Sequence, residues 1–122
     1  MTRLMSADLF AIHAPGLAPH SYTASTTQSL AGAIPISGMA LVNAVNAGDA
    51  IGLPQALAGD WCVVDIIGST AAPTIYPGLS TDKIDGGTAG AGVSLTVAHR
   101  GFFFMCFVTG NWVSSQFGVA AG

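Results

Sequence analysis

Hydrophobic and polar positions alternate along this chain in short runs separated by turn-forming residues. MALVNAV sets Met39, Leu41, Asn43 and Val45 against Ala40, Val42 and Ala44, the period of two that assigns residues to opposite faces of a strand. AIGLP puts Ile51 and Leu53 on one face, and WCVVDII groups Cys62, Val64 and Ile66. TIYP is a further short strand. VSLTVA has the cleanest alternation, with Val93, Leu95 and Val97 turned in and Ser94 and Thr96 turned out; WVSSQ closes the series. Between these runs lie Ala47-Gly48-Asp49, LAGD, GSTAAP, DKIDGGTAGAG and Thr109-Gly110-Asn111, all rich in residues that favour turns. About seven short strands at near-regular spacing predict an all-β fold, a single β-sandwich or jelly-roll-like domain. SLAGAIPISG is the one place a helix could start, and Pro35 stops it.

The run FFFMCFV departs from alternation. Phe102, Phe104, Cys106 and Val108 fall on one face and are expected in the core, yet Phe103, Met105 and Phe107 on the other face are equally apolar. A contiguous exposed apolar patch marks an interaction surface. The second face therefore needs a cover: another subunit, the returning N-terminal arm or a third layer of the same chain. That arm is residues 1–32, rich in Ala, Ser, Thr and Pro without strand or helix period, and the β-domain is residues 33–122.

Composition sharpens this picture. The 122 residues are 51% hydrophobic and only 7% charged, with six acidic and three basic side chains. A typical globular chain carries about 25% charged residues, so this surface has little to hold neighbours apart. Arg3, Lys83 and Arg100 are scattered and the net charge is -3; without a basic stripe, nucleic acid is not an expected partner. Leu9 to Gly48 carries no charge, but Gly32, Pro35, Gly38, Asn43 and Asn46 interrupt it, and a spanning helix needs about 20 mostly apolar residues. Asp8 and His13 likewise break the first apolar stretch, so neither an export signal nor a membrane anchor is expected. Cys62 and Cys106 sit in apolar strand patterns and are expected as buried reduced thiols rather than a disulfide.

No constellation of catalytic chemistry emerges. His13, His20 and His99 lack the close, regular spacing of metal ligands. Ser80-Thr81-Asp82-Lys83 matches the Ser-x-x-Lys spelling of some acylases, but not on a helix that would put serine and lysine on one face. Asp82 and Asp85 sit beside glycines, as turn-capping aspartates do, and not at calcium-loop spacing. GGTAGAG precedes a strand, whereas a phosphate-binding loop follows one and opens a helix. Asp65 is the odd residue in WCVVDII and, if buried, needs a hydrogen-bond donor. The chain is expected not to be an enzyme and to need no cofactor or metal.

An ordered set of motifs runs through residues 33 to 115: Gly48-Asp49, Leu53-Pro54, Ala58-Gly59, Tyr76-Pro77, the Asp-x-Ile-x-Gly turn from Asp82 to Gly86, Val93-x-Leu95, the Phe-rich strand and Gly110-x-Trp112. This order resembles a β-rich module of small virion proteins of tailed bacteriophages, found in capsid decoration and head-fibre proteins. The chain departs from it at Asp85, where Asn is expected, and in its more apolar Phe-rich strand. The resemblance implies a capsid decoration or cement protein that is made in the host cytoplasm and sits on the virion surface. It would form a homo-oligomer, with a trimer favoured by analogy, and bind the major capsid protein. Phe103, Met105, Phe107, Tyr22 and Trp61 are the candidate interface residues. The alternative is a head-fibre or tail module that recognises a host-surface glycan through Trp61, Tyr22 and Tyr76.

Overall fold

A computed structural model of the chain describes residues 18–67, 71–95 and 101–117. Among them are ten strands and no helix: β1 (His20–Thr23), β2 (Ile34–Pro35), β3 (Gly38–Asn43), β4 (Ala50–Gly52), β5 (Trp61–Ile66), β6 (Thr74–Tyr76), β7 (Lys83–Ile84), β8 (Val93–Ser94), β9 (Gly101–Val108) and β10 (Asn111–Phe117). They form a six-stranded sheet in the order β1-β3-β5-β9-β10-β7 and a four-stranded sheet in the order β2-β4-β6-β8. The all-β expectation holds.

The expectation of a β-sandwich or jelly-roll-like domain is corrected by the strand pairing. From β1 to β6 the chain crosses to the other sheet after every strand and returns beside its predecessor. β1, β3 and β5 are therefore paired in parallel, as are β2, β4 and β6. Jelly rolls pair their strands antiparallel; parallel neighbours require a crossover connection, and here the opposite sheet supplies it. The winding is solenoid-like. It ends where β8 and β9 pair antiparallel to β6 and β5, with β10 antiparallel to β9 and β7 parallel to β10.

One core joins the two sheets. Cys62, Val64 and Ile66 of β5 and Phe102, Phe104 and Cys106 of β9 meet Ile51 of β4, Ile75 of β6 and Trp112 of β10. The alternation of β5 and β9 survives in the structure up to Cys106. Val108, expected inside, is 68% exposed. The pairing of β9 with β10 shifts register between Asn111 and Trp112, and such a bulge adds one residue and breaks the alternation of faces. Val93 is also outside, on the two-residue edge strand β8. Val97 lies outside the described residues.

Part of the N-terminal arm lies in the fold. Residues 20 to 23 run beside β3 in parallel register, Ala24 is buried, and Ser25 exchanges backbone bonds with Ala50 at 3.0 and 2.8 Å. Gln28 then donates through Nε2 to Ala47 O (2.9 Å) and Asp49 Oδ1 (3.1 Å). The first part of the arm, residues 1–17, lies outside the described residues.

Two aspartates build the turns that the motifs announced. Asp49 is buried, and its Oδ2 accepts from the backbone amides of Asn46 (2.8 Å) and Val45 (3.2 Å). The Asn46 amide bond is the main reason its carboxyl stays below the ordinary value of 3.8, against the opposing effect of burial. The Gln28 bond also favours the carboxylate. A lowered pKa means that the stabilisation is complete above the unfolded value and disappears as pH falls through the folded one. Acid titration of unfolding is expected to show this loss below pH 3.8, with a shallower dependence in Asp49→Asn. An unchanged slope in that variant would rule the effect out. At the second turn Asp85 (φ 52°) and Gly86 (φ 70°) both have positive φ, and Gly87 N donates to Ile84 O at 3.0 Å. This is a type I′ turn, which favours Asn, Asp or Gly at its first central position, so aspartate replaces the expected asparagine without changing the backbone. The Asp85 carboxylate accepts from Ser114 N (2.8 Å) and Ser114 Oγ (2.5 Å), tying the turn to β10.

Cys62 and Cys106 are both free and buried. Burial raises the Cys62 thiol to about 12, and the thiolate is the reactive form. In native protein at pH 8, Cys62 is expected to react with a thiol reagent only as fast as the protein unfolds, and to react at once in denaturant. Fast native labelling at Cys62, read by peptide mass, would contradict this.

Candidate functional site: the outer face of the six-stranded sheet

Pairing register places the outward side chains of four strands in rows. Trp61 of β5 lies opposite Met105 of β9, and Met105 opposite Val113 of β10. In the next row Met39, Val63, Phe103 and Ser115 follow one another across β3, β5, β9 and β10. A third row runs Leu41, Asp65, Gly101, Phe117. Residues opposite one another share a face and touch. These rows therefore form a continuous apolar surface whose one charged side chain is Asp65. The intervening residues Cys62, Val64, Phe102 and Phe104 face the core, so β5 and β9 are apolar on both sides.

At roughly 4.8 Å between strands and ~7 Å between same-face residues along a strand, three rows on four strands cover roughly 400 Å². That equals the largest apolar patch of a typical monomer and about half of what one partner contributes to a standard protein interface. Trp61 is 39% exposed and Val113 39%, while Phe103, Met105 and Val63 are half-buried by their neighbours.

A groove of about 310 Å³ lies between the second and third rows, with walls that include Pro19, Met39, Leu41, Val63, Asp65, Gly101 and Phe117. Gly101 leaves room for the ring of Phe117, into which a Cβ at that position would run. Asp65 Oδ1 is buried and has no hydrogen-bond partner among the described residues, an arrangement that costs about 1–3 kcal/mol when nothing satisfies it.

The structure brings Trp61, Phe103 and Met105 together on this face. Phe107, 67% exposed, stands at the bulged end of β9. Tyr22 is separated from them: it is half-buried, opposite Val42, and packs against the core. Tyr76 is half-buried, with its hydroxyl 3.5 Å from Gln28 O. Met39, Leu41, Val63 and Val113 belong to the face and were not singled out by sequence; in MALVNAV both faces are apolar, so alternation does not say which is outside. The acidic residues of DKIDGG act on backbone. Asp82 Oδ2 accepts from Ala56 N at 2.9 Å, and Asp85 holds Ser114. His20 is exposed, and no group of three or more metal-ligating side chains occurs among the described residues. His13 and His99 lie outside them. No helix among the described residues is long and apolar enough to cross a membrane.

Comparison of the chain with protein-family models, curated proteins and solved structures found no match.

Proposed function

We propose that this protein is a structural subunit of a phage virion, a decoration or cement protein that stabilises the shell by docking the outer face of its six-stranded sheet against the major capsid protein or a second copy of itself. The observation that carries this reading is the apolar surface of Trp61, Met105, Val113, Met39, Val63 and Phe103, continuous across four strands. Apolar burial contributes about 25 cal/mol per Å², and most of its energy would come from side chains already held rigid by cross-strand packing. The motif order from Gly48 to Trp112 supplies the virion context. The glycan-binding alternative gains nothing from the groove, whose walls do not include Trp61.

Quantitative mass spectrometry of purified particles is the first test. A copy number near that of the shell subunit is expected. A few copies per particle would move the protein to a tail or fibre, and absence from particles would end the virion reading. Met105→Asp is then expected to lower particle binding by roughly 30-fold, the effect of a central interface residue, while costing about 1 kcal/mol of fold stability. Unchanged particle occupancy would show that this face is not the contact.

A further inference from the structure

We propose that the groove beside Asp65 receives an arginine side chain from the partner protein that covers the outer face, with its guanidinium against the Asp65 carboxylate and its stem along the apolar wall. Charge carries the first part of the argument. Asp65 lines the groove, and its Oδ1 is buried without a hydrogen-bond partner among the described residues. Buried polar atoms in folded proteins are paired, and a carboxylate takes its strongest hydrogen bonds from a cation. The described residues hold no group of three or more metal-ligating side chains, so the complementary cation is organic. The wall carries the second part. Pro19, Met39, Leu41, Val63 and Phe117 line the groove together with the carboxylate, and they favour a cation on an apolar stem, as in lysine and arginine. Arginine fits better, because its planar guanidinium gives one carboxylate two donors and stacks on aromatic rings. The ring of Phe117, 48% exposed, is in the same wall. Among the described residues this chain has no arginine, and its one Lys, Lys83, is on β7, at the far edge of the sheet from β1. The arginine is therefore assigned to a different protein.

Room is not limiting. The groove of about 310 Å³ holds roughly ten times the volume of one liquid water molecule, enough for a side chain of that length. The inference rests on the proposed function, since a partner's arginine enters the groove only when the partner sits on this face. It turns an apolar contact into a selective one. A partner that offers arginine satisfies Asp65, whereas one that offers an apolar or acidic side chain buries the carboxylate unpaired and is rejected.

The test uses the full-length chain labelled with ¹³C at the methionine methyl groups, and N-propylguanidinium, the arginine side chain as a free ion, as the probe. Met39 lines the groove, whereas Met105 is on the same face but outside it. Titration is expected to move the Met39 resonance to saturation and leave Met105 in place. The neutral isostere N-propylurea is expected to bind about tenfold more weakly, and Asp65→Asn to remove the difference between the two probes. Equal binding of both probes to the wild-type protein, or no saturable Met39 shift, would overturn the proposal. So would a Met39 resonance that moves on dilution of the protein alone, since a second copy would then fill the groove. On purified particles, Asp65→Asn is expected to lower occupancy about tenfold. A loss with Met105→Asp but none with Asp65→Asn would overturn the arginine contact and leave the docking face standing. No loss with either variant would overturn both.

Discussion

Replacing Trp112 with alanine is expected to destabilise the protein by about 3–5 kcal/mol, the range for emptying a fully packed indole site. Trp112 is completely buried, on the strand where β10 meets both β9 and β7. Its Nε1 donates to Pro54 O at 3.1 Å, and its own carbonyl accepts from Asp85 N at 2.6 Å. The side chain thus anchors the segment after β4 as well as filling the core. A domain of this size has a total stability of about 5–15 kcal/mol, so the variant loses a large share of it. Trp112→Phe keeps most of the volume but orphans the Pro54 carbonyl, and is expected to fall between wild type and alanine. Urea unfolding followed by circular dichroism reads both, as a lower midpoint at unchanged slope. Trp61, the chain's second tryptophan, is 39% exposed and reports solvent in either case. A loss below about 1 kcal/mol for alanine would refute the anchoring role.

Gly78→Ala is expected to cost about 1–3 kcal/mol through overpacking against backbone that cannot yield. A Cβ at residue 78 would collide with the carbonyl carbon and oxygen of Pro54 and with Gln55 N. That stretch is held from several sides. Leu53 N donates to Tyr76 O at 2.9 Å, Trp112 Nε1 binds Pro54 O, and Ala56 N binds the buried Asp82 carboxylate at 2.9 Å. Relief would require breaking one of these bonds. Gly101→Ala is the comparison: the three atoms nearest to its Cβ all belong to the ring of Phe117, which is 48% exposed and can rotate away. Gly78→Ala is therefore expected to be the more damaging of the two in the same urea assay. The reverse order would show that the Pro54 segment shifts freely.

These sites differ in how far the sequence revealed them. The turns at Asp49 and at Asp85-Gly86 were legible because turn chemistry is local: aspartate caps nearby amides, and a type I′ turn selects Asp and Gly. The two alternating sets of β5 and β9 were legible for the same reason, since alternation within one strand sorts Cys62 from Val63 and Phe104 from Phe103. Trp112 was visible only as part of Gly110-x-Trp112. Its burial depends on Pro54, far away in sequence. The outward displacement of Val108 also escaped, because the bulge arises between two strands and leaves no mark in either.

By itself, then, the sequence determined an all-β chain, its turns, most of its core face, and an unusual second apolar face on the strand from Phe102 to Phe107. The tertiary structure decided which strands are neighbours. The solenoid-like parallel winding, the place of His20–Thr23 in the sheet, the union of Trp61, Met39 and Met105 in one surface, and the isolation of Asp65 beside a groove all follow from that choice. Period-two alternation tells each residue which face it occupies but carries no information about the partner strand. The partner is set by loop closure and by packing of the complete core, sums over residues distant in sequence.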